Sequence, residues 1–323
     1  MELVSLARNP IPSGAVAGTF AGYDGAALRF AHWAATRGPR RGTVCIFPGH
    51  AEFIEKYFET IADLRRRGFA VAILDWRGQG GSFRPVGDPR KGHIDDFSEY
   101  DRDLVCFMRE IVLPDCPPPY TVMGHSMGGH IALRNLTTLG SWFDRAVLLA
   151  PMIQLHPHIL GYPERWVALY ARLMCLAGFR TRYVLGGRPD KTESTKFADN
   201  LLTSDRERYQ RNRMLEEAAP ELLIGSPTVG WLDAAIRSMA YVNTVEFAEQ
   251  VRIPALIFTP GRDRIVRPRS IENFAARLKS GTGVRLSQAQ HELLQENDEI
   301  RARFWAAFDA YLGVADVSDQ KVA

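Results

Sequence analysis

The sequence predicts an α/β fold in which a mostly parallel sheet is flanked by helices and carries an inserted helical cap. Apolar runs of strand length alternate with helical patterns up to residue 150. This alternation stops at Pro151 and resumes near Pro254, and the residues between them look helical. The segment GHSMGG crowds glycines around Ser126 at the point where a strand pattern changes to a helical one.

Short apolar runs bounded by turn residues predict the individual strands. These runs are residues 43–47, 69–76, 120–124, 145–150, 254–260 and 283–288. Apolar residues at helical spacing predict the helices between them, at residues 53–67, 97–111 and 126–139, from about Ser270, and at the C-terminal end. We therefore predict a core formed by residues 1–150 and 251–323 and a cap formed by residues 151–250. The cap should cover the carboxyl edge of the sheet, where open α/β sheets bind their ligands.

Composition narrows the possible classes of protein. The chain has 323 residues, of which 46% are hydrophobic and 24% charged, and this suits a large globular domain with an insertion. A net charge of +3, with the basic residues spread along the chain, argues against a nucleic-acid partner.

Membrane spanning and export are not predicted either. No segment approaches the ~18 uninterrupted apolar residues that a spanning helix needs. Arg8 and Asn9 interrupt the apolar run at the amino terminus, so a secretory signal is not expected. The four cysteines show no C-x-x-C pairing and fit reduced thiols. We expect a cytoplasmic protein, and contact with the inner face of the membrane stays open.

The glycines beside Ser126 indicate a nucleophile elbow. A serine held at a sharp turn between strand and helix has a strained backbone, so the residues two before and two after it must be small. Gly124 and Gly128 meet this requirement. The turn would expose the Ser126 hydroxyl beside the free N–H groups of a helix amino terminus. The alternative is a tight glycine turn without chemistry.

A nucleophilic serine needs a histidine base and an acid that orients the base. In enzymes with this motif, the acid and then the histidine follow the serine in the chain. His291 is the one histidine beyond His158, and it lies in a predicted loop before the last helix. Asp263 follows the strand 254–260 and is the preferred acid. The other candidates lie in helical patterns, where exposed charge is the simpler explanation: Asp233, Asp298 and Asp309.

Two N–H groups should stabilise the oxyanion that develops on the substrate. We predict the backbone N–H of Met127, directly after the serine, and that of His50 in the loop PGHAE. Alternatively, the His50 side chain could itself be catalytic or bind a metal. The sequence lacks H-x-x-x-H, H-E-x-x-H and clustered Cys/His spacings, so we predict neither a metal nor a cofactor.

These residues together resemble a known family. The segments GHSMGG, LDWRGQGGS, GHIDDF, LLAPM and GRDRIV are similar to those of the bacterial lysophospholipase and monoacylglycerol lipase branch of the α/β-hydrolases. The resemblance covers about residues 20–312 and implies the α/β-hydrolase fold, with Ser126 as nucleophile, Asp263 as acid and His291 as base. The chain departs from the family at Pro48-Gly49, where the monoacylglycerol lipases usually carry His-Gly.

The cap should decide the substrate. The segment LLTSDRERYQRNR resembles the lysophospholipases, and its Arg206, Arg208, Arg211 and Arg213 are either phosphate contacts or parts of solvated helix faces. The apolar residues between Trp166 and Leu176 either line an acyl tunnel or attach the cap to the sheet. We predict a serine carboxylic-ester hydrolase that acts on a small single-acyl lipid ester.

Several alternatives stay open. They are a monoacylglycerol lipase, a general esterase or thioesterase, an amidase or peptidase, and a noncatalytic binding protein. A haloalkane dehalogenase or an epoxide hydrolase would need an aspartate at position 126 and is disfavoured.

Overall fold

The computed structural model describes residues 2–36, 39–137, 141–189 and 196–314. These residues contain one sheet of eight strands. The strands are β1 (Val16–Ala21), β2 (Ala27–Trp33), β3 (Thr43–Phe47), β4 (Ala70–Leu74), β5 (Tyr120–His125), β6 (Phe143–Leu149), β7 (Ala255–Pro260) and β8 (Gly281–Leu286). Their spatial order is β1-β2-β4-β3-β5-β6-β7-β8. β2 pairs antiparallel with β1 and β4, and all other pairs are parallel, which confirms the predicted fold class.

The helices lie in the connections between the strands and after the last one. They are α1 (Phe58–Arg66), α2 (Ser98–Phe107), α3 (Leu113–Asp115), α4 (Ser126–Asn135), α5 (Pro157–Leu160), α6 (Glu164–Leu176), α7 (Arg206–Ala218), α8 (Val229–Val242), α9 (Val245–Gln250), α10 (Pro268–Ala275) and α11 (Asp298–Leu312). The helix predicted from residue 53 begins as a 3-10 turn, Ile54–Tyr57, and α2 continues into a π-helical turn, Met108–Val112. Residues 138 and 139 of a predicted helix lie outside the described residues.

The central strands are apolar because both of their faces are covered. Every residue of β3, β4 and β5 is buried, as expected for parallel strands between two layers of helices. The hairpin of β1 and β2 was not predicted from the sequence. Its turn contains Asp24 and Gly25, and Gly25 has a φ of +83°, so a turn signal was present. The residues of β1 are mostly exposed, because this strand forms one edge of the sheet.

The segment between β6 and β7 carries α5 to α9, and no strand is found among its described residues. α6 packs against α8. Thr228 caps α8, because its hydroxyl oxygen accepts a hydrogen bond from the Trp231 N–H. The same oxygen lies 2.7 Å from Nδ1 of His93 in the core. The assignment of residues 151–250 as a cap domain stays a prediction, and residues 190–195 and 315–323 fall outside the described part.

Two further observations concern the membrane and the thiols. Within the described ranges, no helix combines the length and the apolar character that crossing a bilayer requires. All four cysteines are free, and Cys106 is half-buried whereas the other three are buried.

Candidate active site

Ser126 lies at a strained turn between β5 and α4. Its φ is +50°, in the left-handed region that side chains other than glycine rarely adopt. A Cβ atom at Gly124 would lie 2.7 Å from Gly129 Cα, and one at Gly128 would lie 2.0 Å from the Phe47 carbonyl oxygen. Both positions therefore have no room for a side chain. α4 begins at Ser126 itself, so the first N–H groups of this helix lack intrahelical acceptors at this point.

His291 and Asp263 come together from two different loops at the same edge of the sheet. His291 Nδ1 lies 2.7 Å from Asp263 Oδ2, and both side chains are buried. The other carboxylate oxygen of Asp263 accepts hydrogen bonds from the N–H groups of Ile265, at 2.7 Å, and Val266, at 2.9 Å. These amides fix the carboxylate, and the carboxylate in turn fixes the imidazole with its proton on Nδ1.

The other candidate acids are engaged elsewhere. Asp233 pairs with Arg237 at 3.1 Å, Asp298 with Arg208 at 2.7 Å, and Asp309 with Arg67 at 2.8 Å. Asp298 is exposed, as predicted, and Asp309 is half-buried. Asp233 is only 4% exposed, so the explanation as an exposed helix charge is wrong for this residue.

His125 connects the serine turn to the histidine loop. It directly precedes Ser126, its Nε2 lies 3.1 Å from the His291 carbonyl oxygen, and its ring centroid is 4.8 Å from that of His291. Its Nδ1 lies 3.1 Å from the carboxylate of Glu52. Both partners are acceptors, so this arrangement favours an imidazole that carries a proton on each ring nitrogen. Burial lowers the pKa of His125, but the charge and hydrogen bond of Glu52 outweigh burial and raise it.

Glu52 belongs to a buried cluster behind the site. Its carboxylate accepts hydrogen bonds from the N–H of Gly49 and, at 2.5 Å, from the Tyr57 hydroxyl. Lys56 lies 3.6 Å from Glu52 and 2.8 Å from Glu292, the neighbour of His291. Burial raises the pKa of Glu52, but His125 and Lys56 outweigh it and hold the pKa below its usual range. The cluster thereby joins the serine turn, the histidine loop and the loop of His50.

The loop with His50 is held by the side chain of Gln79. Its amide nitrogen donates to the carbonyl oxygens of Gly49, at 2.7 Å, and Glu52, at 2.9 Å, and its oxygen accepts from the Ala51 N–H at 3.2 Å. Ala51 has a φ of +63°, a second strained position beside the site. The His50 ring packs on Trp231 of α8, with 4.5 Å between the ring centroids. Met127 is fully buried.

The contact with Trp231 gives the His50 ring a packing role and supports a backbone role in catalysis. We expect His50→Ala to lower kcat by less than about tenfold, whereas His50→Pro, which removes the N–H, should lower it by ~10²-fold or more. Steady-state kinetics on a soluble ester would measure both effects, with thermal melting as a check that each variant is folded. Complete inactivation by alanine in a folded protein would contradict a backbone role.

Three of the four arginines in the segment LLTSDRERYQRNR form ion pairs with acidic residues of the protein. Arg208 and Arg211 both bind the carboxylate of Glu59 on α1, at 2.7 and 2.8 Å, and Arg213 binds Glu216 at 2.6 Å. Arg206 lies over the ring of Phe197. Of the two alternatives for these residues, this geometry does not support phosphate contacts at Arg208, Arg211 and Arg213.

Helix α6 presents its apolar residues on two opposite faces. The buried Ala171 and Cys175 belong to the core cluster, and three half-buried apolar residues of α6 pack against that cluster: Val167, Tyr170 and Met174. The outer face is exposed, by 56% at Trp166, 55% at Leu173 and 71% at Leu176. The buried face packs against α8 and the core cluster, and the outer residues point away from the interior, where an acyl tunnel would lie.

Several residues of the site were not singled out in the sequence. Glu52, Lys56 and His125 are polar residues within apolar surroundings, and Gln79 lies in the resemblance segment LDWRGQGGS. Their partners are distant in the chain, so the sequence held no local signal for their pairing.

The fold and this site define an α/β-hydrolase. A soluble variant of the monoglyceride lipase of Saccharomyces cerevisiae, solved with a substrate analog, superposes with a TM-score of 0.71 at 21% identity, over 92% of this chain and 96% of that one. A thermostable carboxyl esterase of Bacillus coagulans, solved with glycerol, superposes with a TM-score of 0.70 at 18% identity, over 94% and 99%.

Sequence comparison identifies the family of the chain and relatives of known name. Residues 38–298 match the family described as serine aminopeptidase, S33, and the chain belongs to this family. Lysophospholipase L2 of Escherichia coli K12 is 30% identical over 290 residues, covering 88% of this chain and 83% of that protein. Monoacylglycerol lipase of Mycolicibacterium smegmatis is 30% identical over 139 residues, covering 43% and 47%. The chain is a carboxylic ester hydrolase of the lysophospholipase and monoacylglycerol lipase branch.

Proposed function

We propose that the protein cleaves the carboxylic ester of a single-acyl lipid through Ser126, His291 and Asp263. The observation that carries this proposal is the 2.7 Å pair of His291 Nδ1 and Asp263 Oδ2. The histidine loop is linked to the strained turn of Ser126 through His125, whose Nε2 lies 3.1 Å from the His291 carbonyl oxygen. The similarity to a lysophospholipase over 88% of the chain supports a lipid ester as substrate.

In the proposed reaction, His291 Nε2 takes the proton of Ser126 as the hydroxyl oxygen attacks the acyl carbonyl. The N–H groups of Met127 and His50 stabilise the oxyanion. The imidazolium then protonates the leaving glycerol oxygen, which leaves an acyl ester on Ser126. A water molecule, activated by the same histidine, releases the fatty acid. Asp263 holds the imidazole orientation and stabilises its charge throughout.

A peptide bond is the second candidate target, because the family description names an aminopeptidase. An aminopeptidase must bind a cationic α-amine. Arg262 and Arg264, which flank Asp263, are exposed and form no ion pair with any acidic residue in the described ranges. Positive charge beside the proposed acid disfavours a cationic substrate.

A substrate panel tests the proposal directly. It would compare a lysophospholipid and a monoacylglycerol of equal acyl length, short-chain aryl esters and thioesters, and aminoacyl anilides. We expect kcat/KM on at least one of the two lipids to exceed that on every anilide by ~10²-fold or more, because an ester carbonyl is more electrophilic than an amide carbonyl and burial of the acyl chain adds binding energy. Faster cleavage of an anilide than of any ester would contradict the assignment.

The exposed face of α6 supports peripheral contact with a lipid surface. Besides Trp166, Leu173 and Leu176, the segment 157–189 carries five arginines and one acidic residue, Glu164. Arg165 lies over the ring of Trp166. An apolar helix face with a basic rim matches an anionic bilayer, into which the apolar side chains insert while the arginines remain among the head groups.

We expect Leu173→Asp to weaken binding to anionic vesicles by at least about tenfold, since it removes an inserted apolar side chain and adds a repelled charge. Sedimentation with vesicles rich in phosphatidylglycerol would measure the partition coefficient. Val16→Asp, at an exposed residue of the edge strand β1, is the matched control and should bind as the wild type does. Equal partition of both variants would exclude α6 as the contact.

A further inference from the structure

A cavity of about 470 Å³ lies between the inserted segment and the core. The inserted segment contributes His158 and residues 198–201, and the core contributes Arg262, Arg264 and Gln290. The cavity is therefore lined by both parts of the chain, and its core residues belong to the loops that carry Asp263 and His291.

The chain order connects this cavity to the proposed chemistry. Arg262 and Arg264 directly flank Asp263, and Gln290 directly precedes His291. The two loops are joined by the hydrogen bond between Asp263 and His291 and by the Arg262 N–H, which donates to the Ala289 carbonyl oxygen at 2.9 Å. A ligand in the cavity would therefore lie next to the acid and base loops.

The two arginines differ from those of α7 in their charge environment. Arg208 and Arg211 are neutralised by Glu59, whereas Arg262 and Arg264 form no ion pair with the acidic residues in the described ranges. Arg264 Nη2 donates a hydrogen bond to His158 Nδ1 at 3.0 Å, and this bond does not reduce its charge. Two guanidinium groups without a direct ion-pair partner among the described residues attract an anion, and a phosphate can accept bidentate, charge-assisted hydrogen bonds from them.

Gln290 contributes a further polar side chain to the lining of the cavity. The amide of a glutamine both donates and accepts hydrogen bonds, so it can pair with a phosphate oxygen or with a hydroxyl group of a glycerol backbone.

We propose that this cavity holds the phosphodiester head group of a lysophospholipid, with Arg262 and Arg264 as the phosphate ligands. The inference rests on the proposed function and extends it, because it assigns the head group that the reaction centre receives. In this proposal the phosphate contacts come from Arg262 and Arg264 at the cavity and not from the arginines of the segment DRERYQRNR.

Kinetics on two lipids with the same acyl chain tests the head-group assignment. We expect Arg262→Gln and Arg264→Gln each to lower kcat/KM for the lysophospholipid at least about tenfold more than for the monoacylglycerol, mainly through KM, in matched detergent micelles. Arg303→Gln, at an exposed residue of α11, is the control and should change neither rate. Equal effects on both lipids, or no effect, would overturn the proposal.

Binding measured without turnover separates this inference from the reaction itself. Titration calorimetry would follow glycerophosphocholine binding to Ser126→Ala, with and without the two arginine substitutions. We expect binding that weakens at least about tenfold when both arginines are replaced. Undetectable or unchanged binding would overturn the subsite, whatever esters the enzyme cleaves. If inorganic phosphate binds as tightly as glycerophosphocholine, the cavity is a free-anion site and the head-group assignment fails.

Discussion

Ser126→Ala is expected to abolish ester turnover and labelling by a fluorophosphonate while the protein remains folded. The hydroxyl oxygen is the proposed attacking atom, and in the proposed mechanism the acyl-enzyme forms on it. The loss in kcat should reach ~10⁴-fold or more, since only oxyanion stabilisation and binding would remain. Turnover, labelling and thermal melting are measured on the same preparations.

Two results would remove Ser126 from its proposed role. One is labelling of the alanine variant at the level of the wild type. The other is labelling of the wild type at a different residue, located by mass spectrometry. Ser238, which is buried and bonded to His130 at 2.6 Å, is a suitable second serine for the comparison. Ser238→Ala should keep full labelling.

Asp263→Asn is expected to lower kcat at least ~10³-fold with little change in KM. The Asn amide group can donate to His291 Nδ1, which favours the tautomer with the proton on Nε2, and this tautomer cannot accept the serine proton. His291→Ala should cause a loss of at least similar size, because the triad members act as a unit. Steady-state kinetics on a soluble aryl ester measures each effect free of lipid binding.

Asp298→Asn is the matched control for the acid. Asp298 is exposed, pairs with Arg208 at 2.7 Å and lies in the first turn of α11, so its replacement should leave kcat within about twofold. If Asp263→Asn kept most of the activity, the acid would have to be sought among the other carboxylates.

The sequence predicted the parts of the fold that depend on local pattern. The buried strands β3, β4 and β5 are continuous apolar runs because helices cover both faces, and this composition is visible without knowing the partners. The hairpin of β1 and β2 was missed because it lies at an edge, where burial is partial and the apolar pattern is weak.

Contacts between distant residues could not be predicted in the same way. Arg208 and Glu59 are 149 positions apart, and nothing in the segment DRERYQRNR indicates that α1 supplies a carboxylate. The apolar positions of α6 are visible in the sequence, but which of them face α8 depends on how the helix docks. Asp263 and His291 were named from motif and chain order, and their roles as acid and base stay predictions until the variants are measured.

The cluster around Glu52 limits which parts of this enzyme can change during the evolution of a new substrate specificity. One buried carboxylate contacts Gly49, Tyr57 and His125, and Lys56 extends the connection to Glu292. A shift of any one loop would break hydrogen bonds in the others, so the reaction centre is an unfavourable place for adaptive substitutions. Residues 151–250 lie outside this cluster, so we expect substitutions that change specificity to be tolerated better there. Chimeras that exchange this segment between relatives should therefore change the acyl preference, whereas the chemistry and the proposed phosphate contacts of Arg262 and Arg264 should remain those of the recipient.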